Sequence, residues 1–337
     1  MAIEEEVSPA AEVKPPTAAK PARRYPLGPI RAFRELGIVI ALVTVLAVFA
    51  LINPVFLSAQ NIADVTRNAS FTFVAAVGAT YVFAAGGLDL SVGSLFGIGA
   101  VAGGLVVVDG GSIPLAIVAG VVAASLLGLV NGLVVVRAHI PALVATLGML
   151  YAARGLIMIV TEGQPIFPFP REFTDMVIAR VSGVPLMVII AIVLALIAHY
   201  GLNHTRFGRE VLAVGGNRDA ARLVGIPVNR VSITVYALSG AAAGLAGILA
   251  AARLGTAQAS AGTGFELTVI AAVIIGGTSM FGGSATVIGT VIGALLLAVL
   301  SNGMTIIGLS PFYPNLLVGV VIVFAVALDQ WRRARPT

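Results

Sequence analysis

The chain carries a polar break within a long apolar region, Ala84-Ala-Gly-Gly-Leu-Asp-Leu-Ser-Val-Gly-Ser-Leu-Phe-Gly-Ile-Gly-Ala100. Three glycines, one aspartate and two serines fall between Gly86 and Ser94. Two interpretations stay open. The glycines permit a hairpin turn at a membrane surface, in which Asp89 or Ser91 caps the next helix. Alternatively, the segment is non-helical at membrane depth, where backbone of this kind is tolerated only inside protein or beside water and a carboxylate is a functional candidate.

The composition is that of a polytopic membrane protein. Of the 337 residues, 58% are hydrophobic and 10% are charged, whereas a soluble domain carries roughly 25% charged residues. The chain has no cysteine, and both lysines, Lys14 and Lys20, lie in the N-terminal tail. A phosphate-binding loop with its Gly-Lys-Ser/Thr end is therefore excluded, and any ATP is hydrolysed by another chain. The net charge of +5 indicates orientation in a membrane, not binding to nucleic acid.

Ten apolar segments approach the length of about 20 residues that a membrane-spanning helix needs. We therefore expect an all-α polytopic membrane protein with ten transmembrane helices. Residues 1–34 predict a disordered cytoplasmic tail, residues 35–331 a transmembrane domain, and residues 332–337 a second cytoplasmic tail. The expected spans are residues 37–54, 71–87, 92–108, 113–136, 141–161, 185–201, 231–252, 266–282, 285–306 and 313–330.

Basic residues predict the orientation of these spans. With the N-terminus in the cytoplasm, the inner segments hold 15 Lys and Arg residues and the outer segments hold 4. This excess follows the rule that cytoplasmic loops are basic. It predicts an even number of spans with both termini in the cytoplasm. Arg154 is the one basic residue inside an expected span.

Two short matches suggest an inverted repeat. Pro141-Ala-Leu-Val and Pro314-Asn-Leu-Leu-Val begin the last span of two sets, spans two to five and spans seven to ten. In the predicted topology the two sets start from opposite sides of the membrane, as in many transporters. Glycines four residues apart, such as Gly99/Gly103 and Gly240/Gly244, predict close packing of helices within the bundle.

The cytoplasmic loop of residues 202–230 contains a short predicted helix. Asn217 can cap its start, Asp219 suits the positive end of the helix dipole, and Gly225 can end it. Leu223 and Val224 give this helix a small apolar face. A solvated loop would explain the five arginines of this region but not a helix with both caps. Docking of a partner protein is therefore the favoured interpretation.

A second glycine-rich stretch follows Glu266, which we expect at the outer end of an apolar run. Gly276-Gly277 and Gly282-Gly283 bracket a Thr-Ser-Met-Phe turn. The stretch has no lysine and lies between two spans, so a tight return between packed helices is favoured over a nucleotide site. The sequence has no Ser/His/Asp set, carboxylate pair or metal-ligand spacing, so neither a catalytic residue nor a metal site is predicted.

Four motifs occur in order between residues 37 and 330. They are Gly86-Gly-Leu-Asp-Leu-Ser-Val-Gly-Ser94, Pro141-Ala-Leu-Val-Ala-Thr-Leu-Gly148, Thr205-Arg-Phe-Gly-Arg209 followed by Ala220-Ala-Arg-Leu-Val-Gly-Ile226, and Phe265-Glu-Leu267 followed by Gly276-Gly-Thr-Ser279. Together they resemble the permease subunits of bacterial ABC importers for monosaccharides of the ribose and xylose type.

The resemblance implies a homodimer of ten-helix subunits in the lipid of the bacterial inner membrane, with the pathway at the dimer interface. Its implied partners are sugar-type ATPase domains, which hold ATP and Mg²⁺, and a periplasmic sugar-binding protein; this chain would hold no cofactor. The pathway or gating candidates are Gly87, Asp89, Ser91, Asn131, Thr146 and Glu266. The residues of the implied ATPase-coupling loop are Arg206, Arg209, Gly216, Asn217, Asp219, Arg222 and Gly225.

The expected function is import of a monosaccharide or related polyol, without catalysis in this chain. Branched-chain amino-acid permeases share the helix count but lack the Gly-Leu-Asp-Leu-Ser signature. An ion-coupled secondary transporter would need ionisable residues in several spans, and only Asp89 and Arg154 come close to this requirement.

Overall fold

The computed structural model describes residues 28–310 and 312–334, which form α-helices, one 3₁₀ helix (Pro54–Leu57) and one short β-hairpin. The helices are α1 (Gly28–Ile52), α2 (Ala59–Ala84), α3 (Val92–Val108), α4 (Ile113–Arg137), α5 (Ala142–Thr161), α6 (Arg171–Ile178), α7 (Leu186–His204), α8 (Arg206–Gly216), α9 (Arg218–Leu223), α10 (Val228–Leu254), α11 (Phe265–Ile275), α12 (Val287–Ile306) and α13 (Tyr313–Ala334). The strands β1 (Arg180–Val181) and β2 (Val184–Pro185) pair antiparallel in the connection between α6 and α7.

Within the described ranges, five helices are long enough and apolar enough to cross a membrane, namely α4, α5, α7, α10 and α12. Shorter apolar stretches lie in α1, α3, α11 and α13. This architecture confirms an all-α polytopic membrane protein. The number of ten crossings and the cytoplasmic position of both termini stay predictions.

The helix boundaries differ from the expected spans in two instructive places. α2 begins at Ala59 instead of residue 71, because the Ser58 side chain caps it by accepting from the Asn61 amide. Arg67, expected in an outer loop, is therefore a buried helical residue paired with Asp64 at 2.8 Å. α1 begins at Gly28, inside the predicted tail of residues 1–34. The rest of that tail, and residues 335–337 of the C-terminal one, lie outside the described residues.

α10 lies at the centre of the bundle and packs against α2, α3 and α4. Glycine permits this closeness: a Cβ atom at Gly240 would lie 2.3 Å from the Ala124 carbonyl oxygen, and one at Gly99 would lie 2.3 Å from the Gly244 carbonyl oxygen. The expected packing through glycines is confirmed. Most small-residue pairs therefore serve the interior of one bundle.

The bundle has two ends, and we call the end that carries α8 and α9 the basic end. α10 starts there, directly after α9. α4 runs antiparallel to α10, because Gly120 lies against Gly244 while Gly132 lies against Ile233. The basic end is the predicted cytoplasmic side.

Two short helices, α3 and α11, begin side by side in the middle of the bundle. A Cβ atom at Gly93 would lie 2.4 Å from the Gly262 carbonyl oxygen, and the rings of Phe96 and Phe265 are 4.8 Å apart between centroids. From this point α3 runs to the opposite end and α11 runs to the basic end, where Gly276 meets the start of α12 at Gly289. With 11 residues, α11 is only about 16 Å long.

Two non-helical segments lead from the ends of the bundle to the starts of α3 and α11. The first break, residues 85–91, leads from the basic end to the start of α3. The second break, residues 255–264, leads from the opposite end to the start of α11. The expectation of one helix over residues 266–282 is therefore wrong: Glu266 lies in the middle of the bundle, and residues 276–286 form a turn at the basic end. α3 and α11 hold equivalent positions in the two sets of the predicted inverted repeat.

Candidate functional site

The first break holds an aspartate, Asp89, whose two carboxylate oxygens both accept hydrogen bonds and which has no exposed surface. Asp89 Oδ1 accepts from the Ser91 backbone amide at 2.9 Å and from the Ser91 hydroxyl at 2.6 Å. Its Oδ2 accepts from the Ser239 hydroxyl at 2.8 Å, and the Asn131 amide donates to Ser91 Oγ at 2.8 Å. This Asp89 network joins the first break to α4 and α10. Three of the predicted site residues, Asp89, Ser91 and Asn131, thus lie together.

Backbone geometry at the end of α2 directs the chain back into the bundle. Gly86 adopts φ = +75°, and the Gly87 amide donates to the Val82 carbonyl at 2.9 Å, which is the usual reversal at a helix C-terminus. Gly87 then passes so close to α10 that a Cβ atom would lie 2.8 Å from Tyr236 Oη. The Tyr236 hydroxyl donates to the Leu88 carbonyl at 3.2 Å.

The depth of Asp89 follows from its partners. Ser239 lies 11 residues after the start of α10, about 16 Å along the helix axis. Asn131 lies six residues before the end of α4, about 9 Å from that end. The first break is therefore a non-helical segment inside the bundle, not a hairpin at its surface. Ser91 precedes α3 without a capping bond from its side chain.

A cavity of about 350 Å³ lies between the first break and the basic end. Gly86 and Gly87 line one side of it. His139, from the turn between α4 and α5, lines another, and Arg218, Ser232 and Tyr236 add further polar groups. The cavity reaches the segment that carries Asp89 but not the carboxylate itself, which is fully buried.

The other two pathway candidates lie apart from the Asp89 network. Thr146 is buried, and its hydroxyl donates to the Ala142 carbonyl of its own helix at 2.8 Å. Glu266 is half-exposed beside Gly93, at the start of α11. The structure therefore divides the predicted pathway residues between the first break, α5 and the middle of the bundle.

The predicted short helix of the basic loop is confirmed. Asn217 Oδ1 accepts from the amides of Asp219 and Ala220 at 3.1 and 3.0 Å, and α9 follows directly. Gly225, with φ = +82°, lies just after its end. Leu223 is 89% exposed and Val224 is 75% exposed. A capped helix thus presents two bare apolar side chains to the outside of the basic end.

Three further residues of the predicted coupling loop lie on α8, a helix that the sequence does not indicate, and Arg222 lies on α9. Arg206 pairs with Glu210 at 2.7 Å, Arg209 is exposed, and Gly216 is the last residue of the helix. On α9, Arg222 lies 3.5 Å from Asp219. Both ion pairs connect exposed arginines to their own helix, where such pairs contribute little to stability.

One face of α10 connects α9 to the first break. An Arg218 guanidinium N–H donates to Ser232 Oγ at 2.8 Å. Tyr236 and Ser239, one and two turns further along, hold Leu88 and Asp89. Because residues three and four apart share a helix face, α9, α10 and the first break form a continuous row of contacts.

The sequence does not indicate Ser239, Tyr236 or Arg154 as site residues. Ser239 and Tyr236 come from a helix about 150 residues away, and no local pattern marks them. Arg154 was visible as a lone charge in a span; its guanidinium donates to the Ala261 carbonyl at 2.8 Å. No cluster of three or more potential metal ligands occurs within residues 28–310 and 312–334.

Comparison with known proteins gives a family and close relatives. Residues 61–326 match the family described as "Branched-chain amino acid transport system / permease component". The chain is 41% identical over 296 residues to the ribose import permease protein RbsC of Escherichia coli K12, covering 86% of this chain and 92% of that protein. It is 34% identical over 319 residues to the L-arabinose ABC transporter permease protein AraH of Azospirillum brasilense, covering 95% and 94%.

A third relative has a different sugar in its name. The D-allose transport system permease protein AlsC of Escherichia coli K12 is 34% identical over 298 residues, covering 88% of this chain and 91% of that protein. No solved structure matches the chain significantly.

Proposed function

The chain belongs to the family of permease components of the branched-chain amino acid transport system. Within that family we propose that it imports a monosaccharide or related polyol. It is a multi-pass transport subunit of the inner membrane. The observation that carries the proposal is the similarity, along nearly the whole chain, to permeases named for ribose, arabinose and allose.

The sugar proposal competes with one alternative, import of branched-chain amino acids, which the family description names. The relatives at 34–41% identity favour a sugar, as does the Gly-Leu-Asp-Leu-Ser signature. An ion-coupled mechanism has less support, because both oxygens of the Asp89 carboxylate accept hydrogen bonds from protein donors.

ATP hydrolysis belongs to a separate ATPase subunit, which binds ATP and Mg²⁺ and docks at the basic end. The support is α9, whose exposed Leu223 and Val224 suit an apolar groove on a partner. Arg206 and Arg209 on α8 and Arg222 on α9 add exposed positive charge to the basic end. A periplasmic sugar-binding protein delivers the substrate at the opposite end, and a second copy of the chain completes the pathway.

The Asp89 network then couples movement of α10 to movement of the first break during gating. It does not contact the solute. A displacement of α9 moves Arg218, and through Ser232 it changes the position of α10. Because Tyr236 and Ser239 hold the first break to the same face of α10, the break moves with it. The cavity at the basic end is the exit that this movement opens toward the cytoplasm.

The test is uptake by the complete transporter. The chain is co-expressed with an ATPase subunit and a sugar-binding protein from the same organism, in a host that lacks monosaccharide uptake. Accumulation of labelled D-ribose, L-arabinose, D-allose and L-leucine is measured. We expect saturable, ATP-dependent uptake of at least one sugar. Uptake of leucine without uptake of any sugar would contradict the proposal.

A further inference from the structure

The second break descends deep into the bundle along α3. It starts near the opposite end, where Ala257 pairs with Ile166 through two backbone hydrogen bonds of 3.0 Å. Two glycines of α3 lie against the break and show its course. A Cβ atom at Gly104 would lie 3.2 Å from the Cβ atom of Ala257, and a Cβ atom at Gly93 would lie 2.4 Å from the Gly262 carbonyl oxygen. Gly93 and Gly104 are 11 residues apart in α3, so the break descends about 16 Å.

The surface of this segment is polar and open. Gln258, Ser260, Thr263 and Gly264 are exposed, and Glu266 follows them half-exposed. Hydrocarbon offers no hydrogen-bond partner to exposed peptide groups, so non-helical backbone at this depth must line water or be covered by protein. Acyl chains are therefore excluded as the neighbour of this surface.

Arg154 holds the second break in place through hydrogen bonds from one of its guanidinium nitrogens, and its other N–H groups have no hydrogen-bond partner within the part of the chain that the structure describes. It lies 12 residues after the start of α5, about 18 Å along that helix. Its Nη1 donates to the carbonyls of Ala261 and Ala259 at 2.8 and 3.4 Å. A guanidinium has five N–H donors, so Nε and Nη2 stay available. Among the described residues, the ion pairs within 4 Å include neither Arg154 nor Glu266.

An exposed aromatic ring lies one turn from Arg154. Tyr151 is 76% exposed, and residues three apart share a helix face. The neighbouring Leu150 carbonyl accepts from the Ser94 hydroxyl at 2.8 Å, which places this turn at the start of α3. A tyrosine offers a flat apolar face and a polar tip. That combination suits a sugar, which has C–H faces and outward hydroxyls.

We propose that Tyr151, Arg154, Ser260, Thr263 and Glu266 form a mid-membrane polar surface that lines the water-filled pathway and contacts the polyhydroxylated substrate. The identity of the solute in this inference rests on the proposed function. The presence of water along the surface does not depend on it. Arg154 positions the second break, the hydroxyls and Glu266 exchange hydrogen bonds with the solute, and Tyr151 stacks against it.

The absence of native cysteine permits a direct test of water access in the complete transporter. Ser260→Cys and Thr263→Cys are treated with a membrane-impermeant, charged methanethiosulfonate. The control is Leu126→Cys, from the middle of α4, where the native side chain is 55% exposed. We expect the two test positions to react at least about tenfold faster than the control, because only a hydrated thiol ionises and reacts.

Equal reaction rates at test and control positions would overturn the inference and leave the proposed function untouched. Disulfide cross-linking of Thr263→Cys between two copies, without labelling, would also overturn it, since the surface would then be a dry contact between subunits and not the wall of a water-filled pathway between them. If both positions react rapidly but the wild-type transporter moves no sugar, the proposed function fails while the water-lined surface stands.

Contact with the substrate has its own test. Tyr151→Ala should lower uptake of the transported sugar by about threefold to tenfold, the range expected for loss of one aromatic contact. Tyr151→Phe should retain uptake. Leu156→Ala, at a 45% exposed position of the same helix, is the matched control. Wild-type uptake by Tyr151→Ala would overturn the contact with the substrate.

Discussion

Replacing Asp89 by alanine should destabilise the protein by about 3–5 kcal/mol, because it leaves three buried hydrogen-bond donors without their acceptor. Three donors lose their acceptor: the Ser91 amide, the Ser91 hydroxyl and the Ser239 hydroxyl. The hydroxyls can rotate toward other acceptors, but the amide cannot. A buried unsatisfied donor costs about 1–3 kcal/mol, and the sum of these losses agrees with the total.

Asp89→Asn removes the charge of the side chain but keeps nearly the same shape, so it measures the contribution of the charge alone. Its Oδ1 atom can still accept from Ser91, whereas its Nδ2 group must replace the acceptor that faces Ser239. We expect a smaller loss, about 1–2 kcal/mol, because both Ser91 donors keep a neutral acceptor and only the hydrogen bond with Ser239 has to reverse its direction. Asp219→Ala is the control: the Asp219 side chain is 89% exposed, and its loss should change stability by less than about 0.5 kcal/mol.

The assay is reversible unfolding in mixed micelles with increasing dodecyl sulfate, followed by circular dichroism. A double-mutant cycle with Ser239→Ala isolates the contact between α10 and the first break, and its coupling energy should be about 1.5–3 kcal/mol. Additive effects of the two substitutions, or an Asp89→Ala protein as stable as Asp219→Ala, would refute the reasoning. Sugar uptake should fall in Asp89→Ala even where the protein is still in the membrane.

The other predictions concern packing and coupling. Gly240→Ala should lower the free energy of unfolding by at least about 2 kcal/mol, because the added Cβ atom would meet the backbone of α4. Gly148→Ala has nothing within 4 Å of the added Cβ atom and should stabilise α5 by about 0.5–1 kcal/mol. Equal stabilities of the two variants would contradict this reasoning. Asn217→Ala should lower thermal stability by about 1 kcal/mol through loss of the cap. Arg222→Glu should lower ATP hydrolysis stimulated by the loaded binding protein while the fold survives; normal transport would contradict the coupling role. Leu223→Ser should weaken co-purification of the ATPase without changing the melting temperature of the chain alone.

Local patterns were sufficient to predict several elements. α9 was predicted with its cap because Asn217, Asp219 and Gly225 act within one short segment. The class of membrane protein followed from composition. The start of α2 was placed too late because polar residues such as Arg67 mask a helix that pairs them internally.

The middle of the bundle could not be predicted in this way. Apolar length alone favoured one spanning helix after Glu266, since the descent of the second break depends on Arg154 and α3, far away in the sequence. Ser239 likewise receives its role from Asp89, 150 residues away. Long-range polar pairs leave no periodic pattern, and these pairs determine where each of the short helices starts.

The short helix α11 also has a consequence for how the chain is made. At about 16 Å it cannot span a hydrocarbon core about 30 Å thick, so it is a poor substrate for insertion as an independent segment. The second break before it exposes peptide groups that need partners in the membrane. Those partners, α3 and Arg154 of α5, are synthesised earlier. Because α3 and α5 precede α11 in the sequence, they are already in the membrane when α11 is synthesised. α11 therefore enters the membrane by assembling onto these earlier helices.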